Sequence, residues 1–455
     1  MSKALLKALL PAALAMASPV HAREESAITI ALGGDMIGPY RSISGLSDPG
    51  FDAVRALFRG ADLGYANQEG SIFDLETFDG FPAPENGGGY PRMARASVAE
   101  LRDMGIGLVS KANNHATDWG AHGLVATLRS LDEEGMAHAG AGADPAAACA
   151  PGYRDKVALV SAATTFPPMS LPTAPVNRRG AVSRAGPGIC AIHVAAIREV
   201  SEAQLAALRE IAGPLALNAG PDGREVRIAD QRFRAAPQPG LTWEMKSEDL
   251  APVMASIGAA DAKASAVIFA VHAHETAGTV DDMPPRDFEP LLLHHANEAP
   301  GANDAIPADF VPLLMHGAID AGADIALRTG PHQLSGIEIY KGKPIFYGLA
   351  SLVFDFGGRR GYTAAAGQSI VFPPEWFETV VPVVTLRRGR VSEVRLYPAM
   401  IDPDAGPGGG LPHLAKGADA ARILSRLQAL SQPYGTNIRV KDDLGVIRPA
   451  VEGER

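Results

Sequence analysis

Apolar runs that stop at glycine or at a polar tip recur along the chain. The stretch 27–35, Ala-Ile-Thr-Ile-Ala-Leu-Gly-Gly-Asp, is β-rich, is halted by two glycines and carries an acid at its tip, which predicts a buried strand. A helix over 51–58 follows, then a second strand over 61–67 that runs into Asn67-Gln68-Glu69. Residues 98–104 predict a helix, 107–110 a strand, Asn113-Asn114-His115 a turn, and 120–134 another helix. The order strand, polar tip, helix thus occurs three times. Such alternation argues for a layered α/β fold in which side chains beyond the strand ends converge from distant parts of the sequence.

The pattern continues with a strand over 156–161, the tip Thr164-Thr165-Phe166-Pro167-Pro168 and a basic irregular stretch, 177–188. A helix over 202–212, strand-like alternation over 224–234 and a helix over 248–263 read as an α+β insertion, about residues 191–262. A fully apolar strand, 266–271, then ends in His272-Ala273-His274-Glu275, and a helix over 310–321 precedes a strand over 323–327 and Thr329-Gly330-Pro331-His332. Strands over 336–340, 344–348, 379–386 and 391–397 follow in close succession with Gly-Lys or Arg-Gly turns, which predicts antiparallel pairing that closes one mixed sheet. Residues 401–455 read as a C-terminal extension with one helix, 418–430, so the main domain is expected over 27–400.

Composition and the chain ends narrow the setting. Residues 1–22 carry Lys3 and Lys7, an apolar run over 8–17, and Val20-His21-Ala22, the small-x-small form of a signal-peptidase site. Pro11 and Pro19 disfavour a buried helix there, so the expected location is periplasmic or secreted. Nothing later approaches the roughly 20 uninterrupted apolar residues of a spanning helix, so no transmembrane helix is expected after signal removal. The formal charge is −10, or −12 without Lys3 and Lys7, which argues against nucleic acid and anionic membrane surfaces as partners. An anionic polymer or small-molecule substrate needs local positive charge or metal. Cys149 and Cys190, the two cysteines, either pair in an oxidising compartment or stay buried and separate.

Taken one at a time, polar strand ends are turn formers or caps. As a set, Asp35, Glu69, Asn114, His272 and His332 offer hard oxygen and imidazole donors that suit Mn²⁺, Fe²⁺ or Zn²⁺, one or two ions. The chain resembles the CapA-type capsule or poly-γ-glutamate synthesis proteins, whose fold is related to the calcineurin-like metallophosphoesterases. The resemblance covers about residues 28–398. It rests on Gly34-Asp35, Asn67-x-Glu69, Asn113-Asn114-His115-x-x-Asp118-x-Gly120, Thr165-Phe166-Pro167-Pro168, His272-x-His274-Glu275, Gly330-Pro331-His332 and the run from Gly336 to Tyr347.

That resemblance implies a layered β-sandwich flanked by helices, with the site at one edge of the sheets. It also implies Asp35, Glu69, Asn114, His272 and His332 as metal ligands and His115 as general acid. His274 is expected to act in catalysis, to complete a metal shell or to orient His272. Asn113 is expected to contact substrate or to satisfy loop backbone groups, and Asp118 to cap the helix that starts near Gly120. Where relatives read Gly-His-x-Pro-His, this chain reads Arg328-Thr329-Gly330-Pro331-His332. Arg328 is therefore expected near the cluster, repelling a second cation or binding a phosphate or carboxylate of the substrate. The favoured function is an exported metal-dependent hydrolase acting on a phosphoester or a γ-linked polyglutamate amide, with envelope polymer-synthesis machinery as a possible partner. The alternative is a noncatalytic component that binds or exports an envelope polymer.

Overall fold

The computed structural model describes residues 27–84, 89–178, 181–219, 223–229, 231–277, 305–363 and 369–449. The expected signal segment, 1–22, lies outside them. Among the described residues, ten strands join in one sheet and six in another. The larger sheet is centred on Ile28–Ile37, which pairs in parallel with Leu63–Gln68 and Ser351–Phe354 and antiparallel with Glu378–Arg387. Ile106–Ser110 continues the sheet beyond Leu63–Gln68. In the smaller sheet Ala266–His272 lies between Val157–Ala163 and Ile325–Thr329, parallel to both.

Side-chain alternation explains how the sheets stack. Successive strand residues face opposite sides, and here the two sides belong to different cores. Ile30 and Leu32 of the larger sheet meet Leu159, Ile268, Ala270 and Leu327 of the smaller one in a shared core. The intervening residues Ala158, Val160, Val267, Phe269 and Ala326 pack outward against Val253 and Ile257 of helix Ser247–Asp261 and Leu314 and Met315 of helix Phe310–Asp320. Ala31, Ala66 and Val109 pack outward against Phe51, Val54 and Phe58 of helix Pro49–Arg59. The molecule is a mixed α/β sandwich, two sheets face to face with helices on both outer faces.

Three expectations change. The antiparallel hairpins are real, but Ile337–Tyr340 with Lys343–Phe346 edges the smaller sheet while Glu378–Arg387 with Arg390–Ile401 belongs to the larger. The hairpins therefore divide between the two sheets. Residues 401–455 are no mere extension: Arg439–Lys441 and Leu444–Ile447 add to the larger sheet, and Ile423, Leu424 and Leu427 of helix Ala418–Ser431 fill the inter-sheet core. Within the expected insertion, a separate five-stranded sheet spans Val194–Val200 to Gly240–Met245 and packs on helix Glu202–Ala212. Helix Ser247–Asp261, which the insertion had included, belongs instead to the main sandwich.

Cys149 and Cys190 form a disulfide across a sequence separation of 41. A cross-link closing a loop of that size restricts the unfolded chain by about 4 kcal/mol in the loop-entropy model. The double variant Cys149→Ala/Cys190→Ala should therefore melt well below the oxidised protein and with no further response to dithiothreitol, read by circular dichroism. Among the described residues no helix is long and apolar enough to cross a membrane.

Candidate metal centre

The centre forms where the two sheets bring their strand ends together. Asp35 follows an irregularity in pairing between Leu32 and Asp35, at Gly33-Gly34. Gly34 is obligatory in this packing: a Cβ there would sit 1.8 Å from the carbonyl oxygen of Ala350. The close approach lets the Asp35 amide donate to Ala350 O at 3.0 Å and turns the Asp35 carboxylate inward.

Asp35 is fully buried; its Oδ1 accepts from Asn67 Nδ2 (2.7 Å) and its Oδ2 from the Gly330 amide (2.9 Å), with His332 Nδ1 3.3 Å away. Burial pushes its pKa up, but His332, His272 and the Asn67 donor together hold it well below the usual carboxylate range. Glu69 has less support, the charge of Lys111 nearby. It is 1% exposed, and both carboxylate oxygens are buried without a hydrogen-bond donor. Burial and the neighbouring Asp35 raise its pKa well above the usual range. A carboxylate in that state is costly unless something cationic meets it.

Imidazoles close the other side. His272 is buried at the last residue of its strand, with Nδ1 3.2 Å from Asn67 Nδ2 and 3.0 Å from Thr329 Oγ1. Its Nε2 lies 3.0 Å from Asn114 Oδ1, 3.1 Å from His274 Nε2 and 3.7 Å from Glu69 Oε1. Burial lowers its pKa well below the ordinary value, which favours the neutral, ligating form. His332 adopts a φ of +53° and sits against Trp376 and Phe354, with ring centroids at 5.1 and 5.6 Å. Glu69, His272 and His274 have donor atoms all within 4.8 Å of one another, as do Asp35, Glu69 and His332. Glu69 is common to both groups, so the donor set fits one or two divalent cations with that carboxylate shared between them.

The structure thus gathers Asp35, Glu69, Asn114, His272 and His332 in one buried cluster and adds His274 to the donor set. His115 is buried beside its turn, and its Nδ1 lies 2.7 Å from Asp118 Oδ2. Asp118 accordingly holds an imidazole, and the cap residue of the helix Gly120–Glu133 is Trp119, which makes no side-chain cap bond. Asn113 is fully buried and donates to Gln68 O at 2.9 Å, the expected satisfying of a loop backbone group.

The expectation for Arg328 is corrected by strand parity. Ile325, Leu327 and Thr329 face the inter-sheet core, so Arg328 faces the helix layer. It is fully buried, and its guanidinium donates to the carbonyls of Ala273, Glu275 and Tyr347 at 2.8, 2.7 and 3.3 Å. Burial lowers its pKa to about 10, which still leaves it charged at neutral pH. Thr329 takes the inward position and meets His272. Two further residues have roles that the motifs do not assign, although Asn67 lies in one of them. Asn67 bridges Asp35 and His272, a role legible only once Asp35 and Asn67 are in register. Lys111, one residue beyond its strand, is fully buried and donates to the carbonyls of Gln68 and Gly70; burial lowers its pKa to about 7 against the pull of Asp118 and Glu69.

Two proteins of Sinorhizobium fredii (strain NBRC 101917 / NGR234), the uncharacterized proteins y4sH and y4uA, are each 34% identical over 452 residues, covering 91% of this chain and 92% of their own length. The model of the bacterial capsule synthesis protein family PGA_cap matches residues 29–300 and 291–356. The match spans the strands that carry Asp35, Glu69, Asn114, His272 and His332, and the chain belongs to the bacterial capsule synthesis protein PGA_cap family.

Proposed function

We propose that the chain is an exported, divalent-metal-dependent hydrolase of a capsule-type envelope polymer, cleaving a phosphoester or a γ-linked glutamyl amide. The observation that carries this reading is Glu69: a buried carboxylate with both oxygens lacking donors, placed between two donor sets. Mixed oxygen and imidazole donors suit Mn²⁺, Fe²⁺ or Zn²⁺. A strand-end cluster at the edge of a two-sheet sandwich supports a metallophosphatase-like fold. The residues that would hold the ion are Asp35, Glu69, Asn114, His272, His274 and His332. Bound there, it supplies Lewis-acid polarisation of the scissile group and of the attacking water.

The protein's own groups do the rest. Asp118 accepts from His115 Nδ1, which fixes the tautomer and ring orientation, while His115 Nε2 has no hydrogen-bond partner among the described residues. A protonated Nε2 can then pass its proton to the departing oxygen or nitrogen. Asn67 holds Asp35 and His272 in their relative positions. Thr329 supplies a hydroxyl to His272 in place of a further imidazole, which lowers the number of ligands on that side. The signal-like segment 1–22 and the Cys149–Cys190 bond support an oxidising, extracytoplasmic location. An anionic polymer is the expected substrate, and the envelope polymer-synthesis machinery the expected partner.

Assays on aryl phosphates and polyglutamate test the reading. His115→Ala should cost about 10²–10⁴-fold in kcat, the range for a positioned acid, with metal content unchanged. Asp118→Asn should lower kcat in the same direction with little effect on KM. A wild-type protein that stays inactive with stoichiometric metal, yet retains polyglutamate on a binding assay, would favour the polymer-binding alternative.

A further inference from the structure

Lys111 follows a strand of the larger sheet and Arg328 lies in the smaller; both are fully buried, and they share one geometry. Lys111 Nζ donates to the carbonyls of Gln68 (3.2 Å) and Gly70, the residues on either side of Glu69. Arg328 donates from Nε to Ala273 O (2.8 Å) and from Nη2 to Glu275 O (2.7 Å), the residues on either side of His274. Glu69 and His274 belong to the same three-residue donor group. Both straddled tips lie just beyond their strands, Leu63–Gln68 and Ala266–His272, where single amide bonds remain, Glu69 N to Met36 O (3.2 Å), Ala273 N to Thr329 O (3.0 Å) and His274 N to Thr165 Oγ1 (2.9 Å), and the cations take the carbonyl side.

Removing a cation from water costs several kcal/mol, offset in part by the carbonyls that each cation satisfies. What the cation adds is direction: charge-assisted hydrogen bonds to two carbonyls two residues apart fix the peptide planes, and thereby the Cα–Cβ vector, of the residue between. Asn113 Nδ2 adds a second donor to Gln68 O, and Arg328 Nη1 a bond to Tyr347 O, so each tip is tied to a neighbouring element.

We propose that Lys111 and Arg328 are positioning residues, a pair of buried clasps that hold Glu69 and His274 at metal-ligand spacing by gripping the carbonyls on either side of each. The inference rests on the metal-centre reading above. A Lys111 amine has the two N–H groups the grip needs in either protonation state, so the clasp does not depend on its titration.

The test uses the whole chain as Lys111→Met and Arg328→Met, which keep approximate length and remove the donors, with Val253→Ala in the outer helix layer as a remote destabilised control. Co²⁺ is titrated into chelator-treated protein and followed by its visible ligand-field bands, and backbone amide exchange is read by mass spectrometry. Both Met variants should bind Co²⁺ about 10–100-fold more weakly with altered bands. Exchange should accelerate around residues 68–70 in one and 273–275 in the other, while Val253→Ala changes neither band nor tip. Should a Met variant not fold, Lys111→Gln and Arg328→Lys, which keep a donor but alter its reach, take its place with the same readouts. If wild type binds Co²⁺ and the variants match it in affinity and spectrum, the clasp is overturned and the metal centre stands. If wild type binds no Co²⁺, the metal reading falls, and the clasp proposal falls with it unless exchange accelerates at those tips alone.

Discussion

Glu69→Gln should abolish divalent-metal binding and hydrolysis while making the metal-free protein more stable. Both effects follow from the same two oxygens. In the metal-free fold the Glu69 carboxyl is buried against Asp35 with no hydrogen-bond partner on either oxygen, and burial and Asp35 raise its pKa, so ionising it costs free energy that the Lys111 charge only partly offsets. A neutral amide of the same shape has no charge to form and avoids that cost, while its polar atoms stay as buried as the carboxyl oxygens. The same change removes the one donor common to both ligand groups. With metal at about 1,000 times its dissociation constant, wild type should gain about 4 kcal/mol by linkage, and Glu69→Gln nothing. Thermal melts with EDTA and with Mn²⁺ or Zn²⁺ separate the two arms. A variant that melts lower than wild type in EDTA, or that still shifts upward with metal, rules out the shared-ligand role of Glu69.

Gly34→Ala should be the most damaging single-methyl change in the sandwich. The added carbon would lie 1.8 Å from Ala350 O and 2.8 Å from Ala350 C, and both are main-chain atoms that no rotamer change can move. Ala350 itself is held at a φ of +60°, and the Asp35 amide bonds its oxygen, so relief requires parting Ile28–Ile37 from Ser351–Phe354. The expected loss exceeds the usual overpacking range of about 1–3 kcal/mol, and Asp35 leaves the cluster with the strand. Gly45→Ala is the matched comparison. Unlike Gly34 it has positive φ, +73°, but nothing lies within 4 Å of its Cβ, so it should cost only the backbone strain of about 1–2 kcal/mol. Urea denaturation of the two variants measures the difference; equal midpoints would mean that the contact at Ala350 yields readily.

The two substitutions probe different levels of the molecule. Glu69 lies at a polar strand tip that alternation and spacing mark as chemical, and Gly34-Asp35 marks another. What those patterns do not contain is the reason Gly34 cannot be alanine, since Ala350 arrives from more than 300 residues away.

Strand periodicity, glycine stops and polar tips are local properties of the chain, governed by backbone propensity and side-chain alternation. They suffice for the α/β class, for most helices and strands, and for listing Asp35, Glu69, Asn114, His272 and His332 together. Parity even held the answer for Arg328, because Ile325, Leu327 and Thr329 alternate with it; its side became meaningful only when the inter-sheet core chose a face. Contacts between distant segments were decided by packing. The Asp118 grip on His115 depends on the turn closing, the Cys149–Cys190 bond on two segments meeting, and the core role of Ile423, Leu424 and Leu427 on a helix that reads as peripheral by sequence. The clasps of Lys111 and Arg328 reach carbonyls 41 to 55 positions away. A carbonyl looks the same at every residue, so no side-chain pattern announces which one a buried cation will hold; only the folded backbone selects it.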